Sequence, residues 1–341
     1  MATQSDRRAT VGGPYFEDFE VGQVFREAPG LTLTPGHAAM HQALVGDRLR
    51  LALDAHLSQT VTGAQQSLAH PNLVCDVAIG QSTGPSQRVR GNLFYRGLML
   101  LAPVFVGDTL RTDTEIVGLK QNRGGEGRAP TGLVAMRIRT ENQDGEAVLD
   151  FWRCPVIPLR DADAETGHAD RFEGIPQDLE LEDVEAAVPG GWRLDRFREL
   201  VAGEHFEDIV PDTVYAVEGR DTVTAPPELA RLTLNVAHTH TDAGASAHGH
   251  RLAYGGHTIA IAAAHATRAL PNLVTIIGWR GCDHTAPVFE GDILQTELTV
   301  EQTHPLEDGG LVSLRALVVA ERGESGERAD VLDWRFIGLM A

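Results

Sequence analysis

The sequence predicts an α+β protein of two tandem copies of one unit, in which a long helix is followed by an antiparallel meander able to wrap it. Three ordered matches carry this expectation. "FEDFEVGQVFREAPGLTLT" at Phe16–Thr34 aligns with "FEDIVPDTVYAVEGRDTVT" at Phe206–Thr224, with six of nineteen positions identical. "PVFVGDTLRT" at Pro103–Thr112 matches "PVFEGDILQT" at Pro287–Thr296 at seven of ten positions. "VLDFWR" from Val148 is echoed by "VLDWRF" from Val331. The offsets are 190, 184 and 183 residues, always in the same order. A period this long excludes solenoids, whose repeats run ~20–50 residues.

Each copy opens with alternating apolar and polar residues, "QVFREA" and "TVYAVE", which suggests a short strand. A threonine closely followed by proline comes next, in "TLTPGHAAMHQALV" and "TVTAPPELARLTLN". That pairing makes an N-cap and first helical turn, so Thr34 and Thr224 are expected caps. A glycine-containing segment then leads into an apolar, alanine-rich helix, clearest at Gly255–Leu270. Three or four strands close the unit. In the second copy they read "LVTIIGWRG", "DILQTELTVEQTH", "LVSLRALVVAERG" and "ADVLDWRFIGL", with "EDGG" and "GESGE" as hairpin turns. Between the copies, Asp161–Glu185 carries ten acidic residues and one Arg. So polar a stretch reads as a solvated linker. The expected divisions are therefore 10–160, a linker at 161–194, and 195–341.

Composition narrows the function. A net charge of −19 repels polyanions, so nucleic acid is not an expected partner. No apolar run approaches the ~18 residues that span a bilayer. The opening "MATQSDRRATVGG" lacks the apolar core of a secretory signal. Cys75, Cys154 and Cys282 form an odd set without a Cys-x-x-Cys pair, which fits a reducing cytoplasm and argues against disulfides or a thiolate metal site. Lys120 is the sole lysine; Arg88, Arg90 and Arg96 cluster locally, either as a solvated strand face or as a seat for a small anion.

The doubled "PVFxGDxL" signature and the stretch Asn235-Val-Ala-His-Thr-His240-Thr-Asp242 resemble the MaoC-like dehydratases and R-specific enoyl-CoA hydratases, whose motif reads Asp-x-Asn-Pro-x-His-x-Asp. The resemblance covers nearly the whole chain outside the linker. "NVAHTHTD", "RLAYGGHTIAIA", "APVFVGDTLRTDTEIVGLK" and "GEAVLDFWR" look closer still to the two-hotdog mesaconyl-CoA hydratases, in which an Asn also opens the motif. It implies two tandem hotdog domains in one chain and a reversible, cofactor-independent hydration of a short 2-enoyl-CoA, most simply mesaconyl-CoA to β-methylmalyl-CoA. An acyl-CoA ester is then the substrate. Double-hotdog chains often pair further, so a homodimer or higher oligomer is open.

Such chemistry needs a proton carrier, a held water and donors for the thioester oxygen. His240 suits the first, because imidazole titrates near neutrality. Asn235 cannot exchange a proton, but its amide can aim a water. Asp242 either orients the His240 ring or is a loop carboxylate. Tyr254, Gly255, Gly256 and His257 stand where the long helix begins, where free N–H groups point outward and glycine admits a ligand; the resemblance implies that they cap the thioester oxygen, the alternative being a tight turn. A free carboxylate on the acyl group requires a cation, for which Arg280 is the candidate and Arg96 the reserve; Trp279 beside Arg280 could narrow the pocket. His238, His248 and His250 add histidines to the same loop, but without the fixed spacing of a zinc site, and no metal is expected. In the first copy, if Asp47 aligns with Asn235, Ala52 falls at the place of His240 and that copy has no base, while His37, His41 and His56 are out of register. Two other functions compete. A hotdog thioesterase would want a carboxylate near the helix start, which "AYGGHTIA" lacks; a non-catalytic acyl-CoA-binding protein would fit loss of the motif Asp.

Overall fold

The computed structural model describes residues 11–124, 129–323 and 325–341. The first copy runs through short strands β1 (Val24–Phe25) and β2 (Leu31–Thr32) and helices α1 (Pro35–Val45), α2 (Arg50–Leu53), α3 (Ala55–Thr62) and α4 (Pro71–Gln81). Its meander is β3 (Gly91–Leu100), β4 (Thr109–Asn122), β5 (Thr131–Glu141) and β6 (Ala147–Pro158). The connection holds α5 (Leu181–Ala186) and α6 (Leu194–Leu200). The second copy repeats the plan with β7 (Val214–Ala216), β8 (Asp221–Thr222), α7 (Pro226–Leu232), α8 (Gly255–Ala269), β9 (Leu273–His284), β10 (Ile293–Leu306), β11 (Gly309–Glu321) and β12 (Arg328–Met340).

All the strands join one antiparallel sheet in the order β1-β4-β5-β6-β3-β9-β12-β11-β10-β7, with β2 on β4 and β8 on β10. Read from either end the order is the same under exchange of the copies, the signature of an internal duplication. The halves meet where β3 pairs with β9, Tyr95 opposite Cys282 and Met99 opposite Gly278. Helix α4 is buried along its whole length, and α8 nearly so. They pack against each other beneath the curved sheet, the arrangement that a helix apolar on all sides requires.

The repeated motifs act locally. In each "FED" turn the aspartate accepts the N–H three residues earlier, Asp18 from Tyr15 (2.9 Å) and Asp208 from His205 (3.0 Å). In each "PVFxGD" turn the aspartate accepts from the phenylalanine, Asp108 from Phe105 (2.7 Å) and Asp292 from Phe289 (2.9 Å). The valine of that turn then receives the chain just ahead of the long helix: Ala69 N–H donates to Val104 O and Ala253 N–H to Val288 O, both at 2.8 Å. The doubled signature thus fixes where each long helix starts.

Two expectations change. Thr34 caps α1 as expected, accepting from His37 N–H, but α7 starts from Ala225, in the left-handed region at φ 51°, and Thr224 makes no cap. Two successive prolines, Pro226 and Pro227, set that entry instead. The acidic connection is not simply solvated. Its apolar residues are spaced so that Val184 and Ala187 join Phe197, Val274, Ile277 and Leu339 in a buried cluster, while the acids face outward. The "EDGG" turn joins β10 to β11; the "GESGE" turn includes Glu324, which lies outside the described residues.

Candidate active site

A cavity of about 290 Å³ lies at the junction of the two copies. The second copy contributes Asn235, His240, Tyr254, Gly255 and His284 to its wall, and the first contributes Thr83, Tyr95 and Arg153. The motif loop reaches it through a strained turn: Leu234 adopts φ 62°, in the left-handed region that a leucine enters at a cost of roughly 1–2 kcal/mol. Contacts from the first copy hold the loop there. Val236 N–H donates to Thr83 Oγ1 (2.9 Å) and His238 N–H to Gln87 O (2.9 Å).

Asn235 is buried, and its Oδ1 accepts the Ala237 N–H at 3.0 Å. The acceptor end of the amide is therefore occupied, and Nδ2 remains as the donor end. The His240 ring is 7% exposed, with Nδ1 2.9 Å from Leu252 O. A carbonyl only accepts, so Nδ1 carries the proton and Nε2 keeps its lone pair. Burial pushes this imidazole down to about 4, with the Arg153 charge acting in the same direction and the Leu252 bond against it. At neutral pH the ring is thus a neutral base.

Tyr254 stands at the N-cap of α8 but provides no side-chain cap. Among the described residues no acceptor meets the Gly255 or Gly256 N–H groups. A Cβ at Gly255 would lie 2.7 Å from His284 Nε2, and one at Gly256 would lie 1.9 Å from Asp76 Oδ1 and 2.6 Å from Tyr254 Cε1. Gly256 leaves no room for a side chain, whereas a methyl at Gly255 would press only on the end of the His284 ring.

The first copy's equivalent is closed. Asp47, Ala52 and His70 meet around a void of about 20 Å³, in the register the sequence suggests for Asn235 and His240. His70, at the N-cap of α4 where α8 has Tyr254, accepts the Asn72 N–H (3.1 Å), and its Nε2 lies 2.9 Å from Asp47 Oδ1. Burial raises the Asp47 carboxyl, but His70, the Leu49 N–H and His41 together outweigh it, so the group stays below its usual range. Pro71 takes the position of Gly255 and has no N–H to offer. This copy caps its own helix and lacks an imidazole at position 52.

Other expected site residues lie elsewhere. Asp242 is exposed and caps Gly244 N–H at 2.8 Å; it does not touch the His240 ring, whose partner is Leu252 O. His257 is fully buried beside His41, away from the cavity, and burial pushes it to about 4. Gly256 lies behind Gly255 and does not line the wall. Arg280 forms a two-bond ion pair with Asp178 (2.8 and 2.7 Å), and Arg96 binds Asp283 (3.0 Å). Both arginines line a separate surface groove, because the acidic connection folds back to supply Asp178. His248 reaches the cavity wall from an exposed loop. Among the described residues, no group of three or more His, Cys, Asp or Glu side chains could hold a metal ion.

Several wall residues, Thr83 and Tyr95 among them, are not singled out by the sequence, and two of these, His284 and Arg153, bear most on the chemistry. His284 ends β9, its Nε2 is buried without a partner among the described residues, and burial pushes it to about 4. Arg153 belongs to the quoted "VLDFWR". Strand alternation places it with Phe151 on the inner face, and an arginine at an inward position was the available signal.

Comparison with known proteins places the chain in a family. A mesaconyl-CoA hydratase of Cereibacter sphaeroides is 29% identical over 91% of this chain and 90% of its own. A β-methylmalyl-CoA dehydratase of Chloroflexus aurantiacus is 28% identical over 91% of this chain and 89% of its own. A solved structure of a conserved hypothetical protein from Mycobacterium tuberculosis, described as having a double hotdog fold, is 49% identical and superposes with a TM-score of 0.91, covering 98% of this chain and 100% of that one. The family model for mesaconyl-CoA hydratase matches residues 1–274, most of the chain, including the motif loop and all of α8. With its doubled hotdog architecture, this chain belongs to the mesaconyl-CoA hydratase family.

Proposed function

We propose that the protein is a hydro-lyase that reversibly hydrates a short 2-enoyl-CoA thioester, with mesaconyl-CoA and β-methylmalyl-CoA as the natural pair. What supports this above all is the neutral imidazole of His240 sharing a cavity with an uncapped helix N-terminus. The thioester oxygen accepts the Gly255 N–H, where the helix dipole also favours negative charge. Asn235 Nδ2 donates to a water and His240 Nε2 accepts one of its protons. The water oxygen bonds to the β-carbon while the alkene electrons shift toward the α-carbon and the thioester oxygen. His240 then returns its proton to the α-carbon, and the thioester is restored. One imidazole performs both transfers from one side, so water adds in the syn sense. No cofactor or metal enters these steps. Arg90, which lines both this cavity and the adjoining groove with Arg88 and Arg160, offers a cationic approach for the phosphates of CoA.

Asp76 bears on the thioesterase reading, since it brings a carboxylate to the start of α8 from the other copy. Its side chain is 2% exposed and absent from the cavity wall, and burial pushes its carboxyl up. It is not available to aim water at the thioester carbonyl. The test is incubation of purified protein with mesaconyl-CoA, read by mass and by free-thiol release. Gain of one water without thiol is the expected result; thiol release without a hydrated ester would point to hydrolysis.

A further inference from the structure

Arg153 is 4% exposed and lines the same cavity as His240. Its Nη2 donates to Ser82 O (2.8 Å) and Ser86 Oγ (2.6 Å), which anchors the guanidinium. Its Nε is buried and meets no acceptor, and no carboxylate pairs with it among the described residues. The outward-facing arginines of other strands behave differently: Arg137 binds Asp150 and Arg315 binds Asp333 through two bonds each. The fold does not need a cation here. In the second copy the position equivalent to Arg153 is Phe336, fully buried and stacked on Trp334 at 3.9 Å.

Arginine keeps its charge in proteins, and a buried charge without a counter-ion is among the costlier features a fold can carry. This chain has 48 acidic residues and sets none of them against Arg153 among those described. The missing partner has to be an anion that arrives with the ligand. The CoA phosphates cannot fill this role, since they remain far along the tail from the reacting carbons, whereas Arg153 shares the cavity with the base.

We infer that Arg153 receives a carboxylate at the distal end of the acyl group and thereby selects monothioesters of dicarboxylic acids over uncharged enoyl-CoA esters. This rests on the hydratase reading of the same cavity, and it replaces Arg280 and Arg96 in the role. Arg153 is a specificity-determining residue: it touches the substrate at the end opposite the thioester and takes no proton.

The experiment compares wild type, Arg153→Met and Arg153→Lys, each as the full chain and each checked for an unchanged melting profile. Turnover is measured on mesaconyl-CoA and on 2-methylcrotonyl-CoA, the same skeleton with a methyl in place of the carboxylate. The expected result is a wild-type preference for mesaconyl-CoA, lost by about 100-fold or more in Arg153→Met, chiefly through KM. Arg153→Met should lose far less on 2-methylcrotonyl-CoA than on mesaconyl-CoA, and Arg153→Lys should recover part of the preference. Equal losses on both esters would mark Arg153 as a structural brace and overturn the inference, as would a wild type indifferent to the carboxylate. Calorimetric binding of succinyl-CoA against butyryl-CoA separates this from failure of the hydratase reading. It needs no turnover, and wild type must bind the dicarboxylic ester more tightly while Arg153→Met does not.

Discussion

At the residue scale, the account depends on how two side chains are pinned. Leu252 O fixes the tautomer of His240, and Ala237 N–H fixes the direction of Asn235. A base held near 4 by burial is neutral throughout the ordinary range. The predicted acid limb of kcat/KM therefore falls near pH 4 and not near 6.5, with a plateau through neutrality; an acid limb centred at 6.5 would mean that the ring is hydrated and free. Asn235→Ala removes both the water donor and the turn bond. It should lower kcat by roughly 10–100-fold and stability by about 1 kcal/mol, measured by steady-state kinetics and urea denaturation. His240 was legible because it belongs to a short contiguous motif. Arg153 was not, although it stood in a quoted repeat, because its meaning depends on which strand face turns inward and on the absence of an acid from distant parts of the chain.

At the element scale, the two long helices differ at their first turn. Helix α4 begins with a histidine cap and a proline, whereas α8 begins with an uncapped diglycine. Gly255→Ala places a methyl against the end of the His284 ring, a group that can yield. The fold should survive while kcat/KM falls at least ~10-fold from loss of donor access. Gly256→Ala meets Asp76 and the Tyr254 ring from behind. It should cost ~1–3 kcal/mol of stability in denaturant melts, because overpacking a filled site forces its neighbours to shift. The reverse pattern, with Gly255→Ala unstable and Gly256→Ala merely slow, would contradict the assignment of which glycine faces the ligand. The helices and strands themselves were readable from periodicity and turn residues. The misread element was the acidic connection. Its net charge masked an apolar minority that docks, and the return of that segment put Asp178 on Arg280 and removed that arginine from consideration.

For the whole molecule, duplication has produced two similar shells, and the proposed function places the chemistry in one of them. The sheet order is symmetric about the β3–β9 pairing, yet one pseudo-equivalent site is filled by Asp47 and His70 while the other is open. The closed copy still contributes, since Thr83 holds the motif loop and Tyr95 and Arg153 line the cavity. Binding of a non-reactive CoA ester should saturate at one equivalent per chain by calorimetry, and two equivalents would refute the closure of the first copy. The repeat was visible in the sequence because its shared motifs serve local turns that each copy must make. How the copies divide the work was less visible, because it depends on contacts across their junction.

The most direct test of the central claim is the hydration rate of mesaconyl-CoA at neutral pH by wild type and by His240→Ala, both verified as folded. Loss of at least ~100-fold in kcat with little change in KM is the predicted result. A variant that hydrates the ester at the wild-type rate would contradict the account.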